Sequence, residues 1–323
     1  MENHNQTDET RVKVLRTAID HGLTTIDTAP LYGFGRAEKQ IALALEGRPN
    51  HNVQIFTKLG LRWDVGDYGD VLFDFTDSDG RHGRVCKDSR PESVRWEVEQ
   101  SLERLNMDTL DLVQIHHPDV HTPLAETMGA LLELRAEGKI RHIGVSNFSP
   151  DQILAAQLVL GDVPLASVQP EYSLVRRSIE VALLPLCILK RIGVLAYSPL
   201  ARGVLTANPK LELSRRIRRG IERTLRPIAV QHNASLAAVA LAWVRSQPGV
   251  CAAIAGASKS EQIVELVAGL EIDLSREETE SLSTEFAGAQ LEDAYIAQGG
   301  LIRKARRFVG RSLRRLGLLA DKV

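Results

Sequence analysis

The stretch TTIDTAPLYGFGRAE, Thr24 to Glu38, opens on a short apolar run and ends that run with a carboxylate, Asp27. Five residues later it sets Tyr32 in a glycine-punctuated turn. A carboxylate at the mouth of a buried strand is costly unless it has a partner, so its partner is to be sought at the ends of other strands. Such strands are easy to find. β-like runs occur at Thr25–Thr28, Gln54–Lys58, Leu110–His116, Ile140–Ser146, Ser167–Glu171, Val194–Ser198 and Ala252–Ala255, with helical stretches between them. They are rich in Val and Ile and mostly apolar throughout, as strands buried on both faces are. Seven βα units in regular order, with no shift in composition, predict an α/β fold closed as a (β/α)8 TIM barrel rather than a doubly wound sheet.

The count is one unit short. The strand at Thr25 already follows a helix, Asp8 to His21, and no β-like run precedes that helix. The expectation is a barrel whose N-terminal hairpin and first strand are missing, with Met1 a misassigned start or the gene truncated. Residues 1–290 are read as the barrel and 291–323 as a basic amphipathic helical tail. Between Arg303 and Arg315 the tail holds seven basic residues and no acidic one. Leu301, Ala305, Phe308, Ser312, Leu316 and Leu319 fall near one helical face. Such a tail docks on the domain or makes a weak contact with an anionic surface.

Composition narrows the function classes. The chain has 323 residues, 44% hydrophobic and 25% charged, with a net charge of -1. That is a globular composition and argues against a generic nucleic-acid binder. No apolar run has the length of a membrane span. The opening MENHNQTDET is polar, and Cys86, Cys187 and Cys251 are few and widely spaced. A reducing, cytoplasmic setting is expected. Capping boxes are predicted at Ser89–Glu92, Ser149–Gln152 and Ser275–Glu278. Leu61–Arg90, with Trp63, Tyr68, Phe73 and Phe75, reads as a long loop of the kind that sets substrate choice.

The chemistry sits at the strand ends, where an α/β barrel builds its active site. Lys58 ends the strand after Asp27, and His116 ends the next. A phenol has a solution pKa of about 10, and a neighbouring ammonium lowers it. Asp27 can hold Lys58. His116 can donate to a substrate oxygen or share its proton with Tyr32. Gly33 to Gly35 reads as a turn, because no third glycine follows at the spacing of a dinucleotide loop. Adjacent strand residues face opposite ways, so His116 and His117 are not expected to share a metal ion. A metal-dependent barrel hydrolase lacks a ligand cluster, and no metal site is predicted.

Several stretches together resemble the aldo-keto reductases, in particular bacterial members with a long loop after the third barrel strand. They are TTIDTAPLYGFGRAE, FTKLG, LDLVQIHHPD, GKIRHIGVSNFS, SVQPEYSLV, GVLAYSPLARGVLT and AGASKSEQIVE, in family order. The resemblance implies that Asp27, Tyr32, Lys58 and His116 are the catalytic tetrad, with Tyr32 the general acid in reduction of an aldehyde, ketone or sugar carbonyl. It implies the cofactor NADPH. Ser146, Asn147 and Gln169 would hold the nicotinamide amide and Tyr197 would stack on its ring. Ser198 and Leu200 would lie at the pyrophosphate. Gly256, Ser258, Lys259, Gln262 and Glu265 would lie at the adenosine end, where Lys259 points to NADPH. At that end Leu266 and Ala255 stand where the family often has Asn and Pro. His117 stands where Trp is usual, outside the pocket or at its rim. A second reading is a nucleotide-binding regulatory or remnant protein with little or no turnover.

Overall fold

The computed structural model describes residues 7–47, 52–64, 68–76, 82–208, 211 and 213–289. The first half contains α1 (Asp8–Asp20), β1 (Thr25–Asp27), α2 (Arg36–Leu45), β2 (Gln54–Leu59), β3 (Leu61–Arg62), β4 (Val71–Thr76), β5 (His82–Lys87), α3 (Pro91–Leu105), β6 (Leu110–Ile115), α4 (Leu124–Ala136), β7 (Ile140–Ser146) and α5 (Pro150–Leu160). The second contains β8 (Leu165–Gln169), α6 (Leu183–Lys190), β9 (Gly193–Tyr197), α7 (Arg215–Gly220), α8 (Arg226–Gln231), α9 (Leu236–Arg245), β10 (Val250–Ile254), α10 (Ser260–Ala268) and α11 (Arg276–Glu285).

Seven strands form one parallel sheet in the order β1-β2-β6-β7-β8-β9-β10. The helices between them lie outside the sheet, so the middle strands are buried on both faces. All six residues of β6 are buried. Its Leu110, Val113 and Ile115 join Val94, Val98 and Leu105 of α3 and Met128, Leu131 and Leu134 of α4 in a single core. Each such side chain contributes about 1.5–3 kcal/mol by leaving water, which is why the apolar runs locate the strands so closely.

The sheet is nearly closed. Among the described residues, β1 and β10 each pair on one side only. Their burial reflects this, since Thr25 and Cys251 are exposed and the rest of both strands is only partly buried. The helical layer continues across the seam. α1 packs on α10 through Val14, Ala18 and Ile263, with Leu23, Ala257 and Val267 beside them. Thr17 Oγ1 donates to Ser260 Oγ at 2.9 Å. The reading that no strand precedes α1 falls on residues 1–6, outside the described residues, as does the tail at 291–323.

Leu61–Arg90 departs from the expected loop. Its described residues form a three-stranded antiparallel sheet in the order β3-β5-β4. β4, Val-Leu-Phe-Asp-Phe-Thr, brings Phe73 and Phe75 to one face by strand alternation. Phe75 packs on Phe34 at 4.5 Å between centroids, and Gly83 opposite leaves room for its ring. The Ser149 and Ser275 capping boxes form as expected. The Ser89 box does not. α3 is capped by Arg90 without a side-chain bond and starts on Pro91, while the Ser89 backbone is committed to Asp119 and Thr127. Proline at the first helical position fixes the start there. No single helix among the described residues is long and apolar enough to cross a membrane.

Candidate active site

β1 delivers Asp27 to the sheet's C-terminal mouth, and the chain then makes a tight coil into α2. Gly33, Phe34 and Gly35 all take positive φ, at 62°, 54° and 89°. Gly35 N donates to Pro30 O at 2.7 Å. A Cβ at Gly35 would stand 2.8 Å from Arg104 Cδ, so the position needs glycine for both backbone and space. The coil lays the Tyr32 ring over the strand mouths.

β2 runs beside β1 and β6 and sends Lys58 inward. The Lys58 ammonium donates to Asp27 Oδ2 at 2.6 Å and to Thr28 O at 2.9 Å. It also lies 5.3 Å from the centre of the Tyr32 ring. The Lys58 and Asp27 side chains are 1% and 9% exposed. The carboxylate cost raised by the first stretch of sequence is thus offset by a lysine on the neighbouring strand. Tyr32 meets His116 edge to face, 6.0 Å between centroids.

Electrostatics separate the two proton-bearing groups. Tyr32 is 38% exposed as a residue, yet its phenol is deep enough for desolvation to dominate and raise its pKa. Lys58 opposes the rise and Asp27 adds to it. Lys58 lowers the pKa as expected, but burial outweighs the ammonium and the net direction is upward. His116 is held well below the ordinary imidazole value by burial, then Lys58, then His117. At neutral pH the site holds a phenol, a neutral imidazole and a buried ion pair.

The next three strand ends complete the mouth. Ser146 and Gln169 face each other in the β7–β8 register, and Ser146 Oγ donates to Gln169 O at 2.8 Å. Asn147 takes φ of 61° just past β7. Its amide nitrogen donates to His116 O at 2.9 Å, and its oxygen accepts from Tyr197 Oη at 3.0 Å. Tyr197 ends β9, with its phenol pushed up to about 12 by burial. The turn beyond it has positive φ at Ser198, Ala201, Arg202 and Gly203. Ser198 and Leu200 accept backbone bonds within that turn. Gly256, Ser258 and Lys259 lead into α10, where Gln262 Oε1 accepts from Ser258 N at 2.8 Å and Lys259 N at 3.1 Å. Glu265 is exposed on the next turn of α10. An amide-rich cluster, an aromatic ring and a left-handed backbone turn thus lie along adjacent strand ends. This donor set fits a nicotinamide dinucleotide, with uncharged amide partners at one end and backbone turns and a helix start at the other.

Two features were not legible beforehand. His117 does not follow strand alternation, because β6 ends at Ile115. Its ring stacks on His116 at 5.6 Å and 16°. No cluster of three or more His, Cys, Asp or Glu suited to a metal occurs among the described residues. The second feature is Gln169 Nε2, which donates to Asp27 Oδ1 at 2.8 Å.

The sequence pattern of the Aldo/keto reductase family matches residues 1–284. The chain belongs to the aldo/keto reductase family. As a member it is an NAD(P)H-dependent oxidoreductase that reduces a carbonyl group. It is 35% identical over 272 residues to the NADH-specific methylglyoxal reductase of Escherichia coli (strain K12), covering 79% of this chain and 80% of that one. Its fold is similar to the glycerol dehydrogenase of Gluconobacter oxydans, with a TM-score of 0.77, 33% identity and 88% of each chain covered. It is also similar to an aldo/keto reductase from Klebsiella pneumoniae solved with NADP and acetate, with a TM-score of 0.67, 32% identity and 86% of each chain covered.

Proposed function

We propose that this aldo/keto reductase reduces a small aldehyde, ketone or sugar carbonyl with Tyr32 as the general acid. The observation that carries the reading is Lys58, held by Asp27 at 2.6 Å and 5.3 Å from the Tyr32 ring. When bound, a reduced nicotinamide supplies hydride to the carbonyl carbon. Tyr32 Oη donates a proton to the carbonyl oxygen, and its raised pKa keeps that proton in place at neutral pH. Lys58 stabilises the phenolate left behind. Asp27 orients Lys58. His116, neutral, donates a hydrogen bond to the same oxygen. Ser146, Asn147 and Gln169 bind the nicotinamide amide, and Tyr197 offers the ring face. Ser198 and Leu200 flank the pyrophosphate.

For the cofactor, Lys259 is the cation at the α10 start that favours the 2′-phosphate of NADPH, with Ser258, Gly256, Gln262 and Glu265 around the adenosine. The Klebsiella relative was solved with NADP, whereas the Escherichia relative is NADH-specific. The three cysteines among the described residues are free thiols, in keeping with a cytoplasmic setting.

The test is oxidation of NADPH and NADH with methylglyoxal, glyceraldehyde and 4-nitrobenzaldehyde. Tyr32→Phe should abolish turnover while leaving cofactor binding intact; an unchanged rate would sink the assignment. The second reading, a nucleotide-binding protein with little turnover, is favoured by the β1–β10 seam beside Asp27. It predicts cofactor binding with no carbonyl-dependent oxidation.

A further inference from the structure

Behind the site, on the outer side of β2, lies a polar cluster that the acid–base reading does not use. Glu38, in the first turn of α2, is fully buried. Its Oε1 accepts from Thr57 Oγ1 at 2.8 Å. Its Oε2 accepts from Arg104 Nε of α3 at 2.7 Å. Thr57 is 1% exposed and the Arg104 side chain 13%. A charged pair this deep is expensive, and a plain apolar contact would join two helices to a strand at lower cost.

The cluster borders the two segments that carry Tyr32 and Lys58. Thr57 precedes Lys58 on β2. Glu38 follows the Tyr32 coil directly, and Ala37 N, next to it, donates to Tyr32 O at 3.2 Å. Arg104 fills the space beside Gly35 that a Cβ would need. One carboxylate therefore ties the end of the Tyr32 coil to the residue beside Lys58, with Arg104 bracing both.

We infer that Glu38, with Thr57 and Arg104, is a positioning residue that fixes Tyr32 against Lys58. This rests on the acid–base reading of Tyr32 and Lys58. Displacing a proton donor by an ångström can cost about a hundredfold in rate, so a rigid polar tie has a use that a softer contact lacks. Ser146, Asn147, Tyr197 and α10 lie on other strands and loops, so cofactor affinity should not depend on the clamp.

The experiment compares Glu38→Gln and Thr57→Val with the parent, using whichever of the three aldehydes the parent reduces fastest. Thr57→Val keeps strand shape and the Glu38–Arg104 pair and removes one hydrogen bond, so it is the milder of the two. Rates are normalised to cofactor-binding sites counted by fluorescence titration, so unfolded protein does not register. Expected is a loss of about tenfold or more in single-turnover rate for Glu38→Gln and a smaller loss for Thr57→Val. Cofactor Kd should hold within about twofold. The alkaline limb of the pH–rate profile should move to higher pH, because Tyr32 loses part of its Lys58 contact. Thr57→Ser should restore both rate and profile. Parent rate and parent profile in Thr57→Val, whatever Glu38→Gln does, would overturn the proposal alone, provided Tyr32→Phe is inactive. A Tyr32→Phe variant with parent activity, or a parent that reduces none of the aldehydes, overturns the acid–base reading and this proposal together.

Discussion

Gln169 Nε2 donates to Asp27 Oδ1 at 2.8 Å, on the far side of the carboxylate from Lys58. The two oxygens of Asp27 are thus divided, one to a cation on β2 and one to an amide on β8. From β1 the carboxylate links the neighbouring strand β2 to β8, the fifth strand of the sheet. Gln169→Leu leaves Oδ1 without this donor. A hydrogen bond to a charged group contributes about 1.5–3 kcal/mol. Urea unfolding should show a loss of that order, and a midpoint equal to the parent's would show that the bond carries no stability.

Lys58→Met leaves Asp27 charged and buried without its cation. Removing one partner of a buried pair costs about 3–5 kcal/mol. The double variant Asp27→Asn, Lys58→Met should recover part of that, since no buried charge remains. Neither should recover turnover, because Tyr32 has lost the ammonium that stabilises its phenolate. Calorimetry and a pH–rate profile read the two effects separately. A Lys58→Met profile with the parent's alkaline limb would contradict the Tyr32–Lys58 pairing.

Acid should destabilise the fold through its stacked histidines. His116 and His117 both have imidazole pKa values lowered by burial, with Lys58 and His117 acting on the first and Lys87 on the second. Unfolding restores an ordinary value of about 6.5. Above that pH both states are neutral and the histidines contribute nothing. Below it the unfolded chain takes up protons that the folded chain refuses, so stability falls as pH drops from about 6.5. Melting temperatures measured from pH 7.5 to 5.5 should decline, and less steeply in His117→Phe. A flat curve across that window would rule the mechanism out.

Cofactor choice should respond to Lys259. If it contacts a 2′-phosphate, the charge-assisted bond contributes about 1.5–3 kcal/mol, a preference of about tenfold or more for NADPH. Lys259→Ala should then erase the preference and leave NADH binding unchanged. Equal affinities for the two cofactors in the parent would remove Lys259 from the phosphate site.

The seam should be the softest part of the sheet. β6 is buried throughout and paired on both sides, whereas β1 and β10 are partly exposed and singly paired among the described residues. Amide hydrogen exchange should therefore be faster in Thr25–Asp27 and Val250–Ile254 than in Leu110–Ile115. Equal protection in all three would mean that the edges are covered.

The strands were legible because β2 and β6 to β9 lie between two layers, and burial on both faces writes a continuous apolar run that ends where the polar site begins. For the same reason Asp27, Tyr32, Lys58 and His116 could be picked out together, each beside or just past such a run. Leu61–Arg90 misled because β4 has no buried residue and Gly and Asp crowd the stretches between its strands, so it resembles a loop until Phe75 finds Phe34. What only the tertiary structure decided depends on neighbours far apart in the chain. The hydrogen bond from Gln169 to Asp27 crosses 142 residues, and the tie from Glu38 to Arg104 crosses 66. The net direction of the Tyr32 pKa is of the same kind. Sequence supplies the opposing charges, but desolvation is set by how the barrel mouth encloses the phenol, and it is the larger effect.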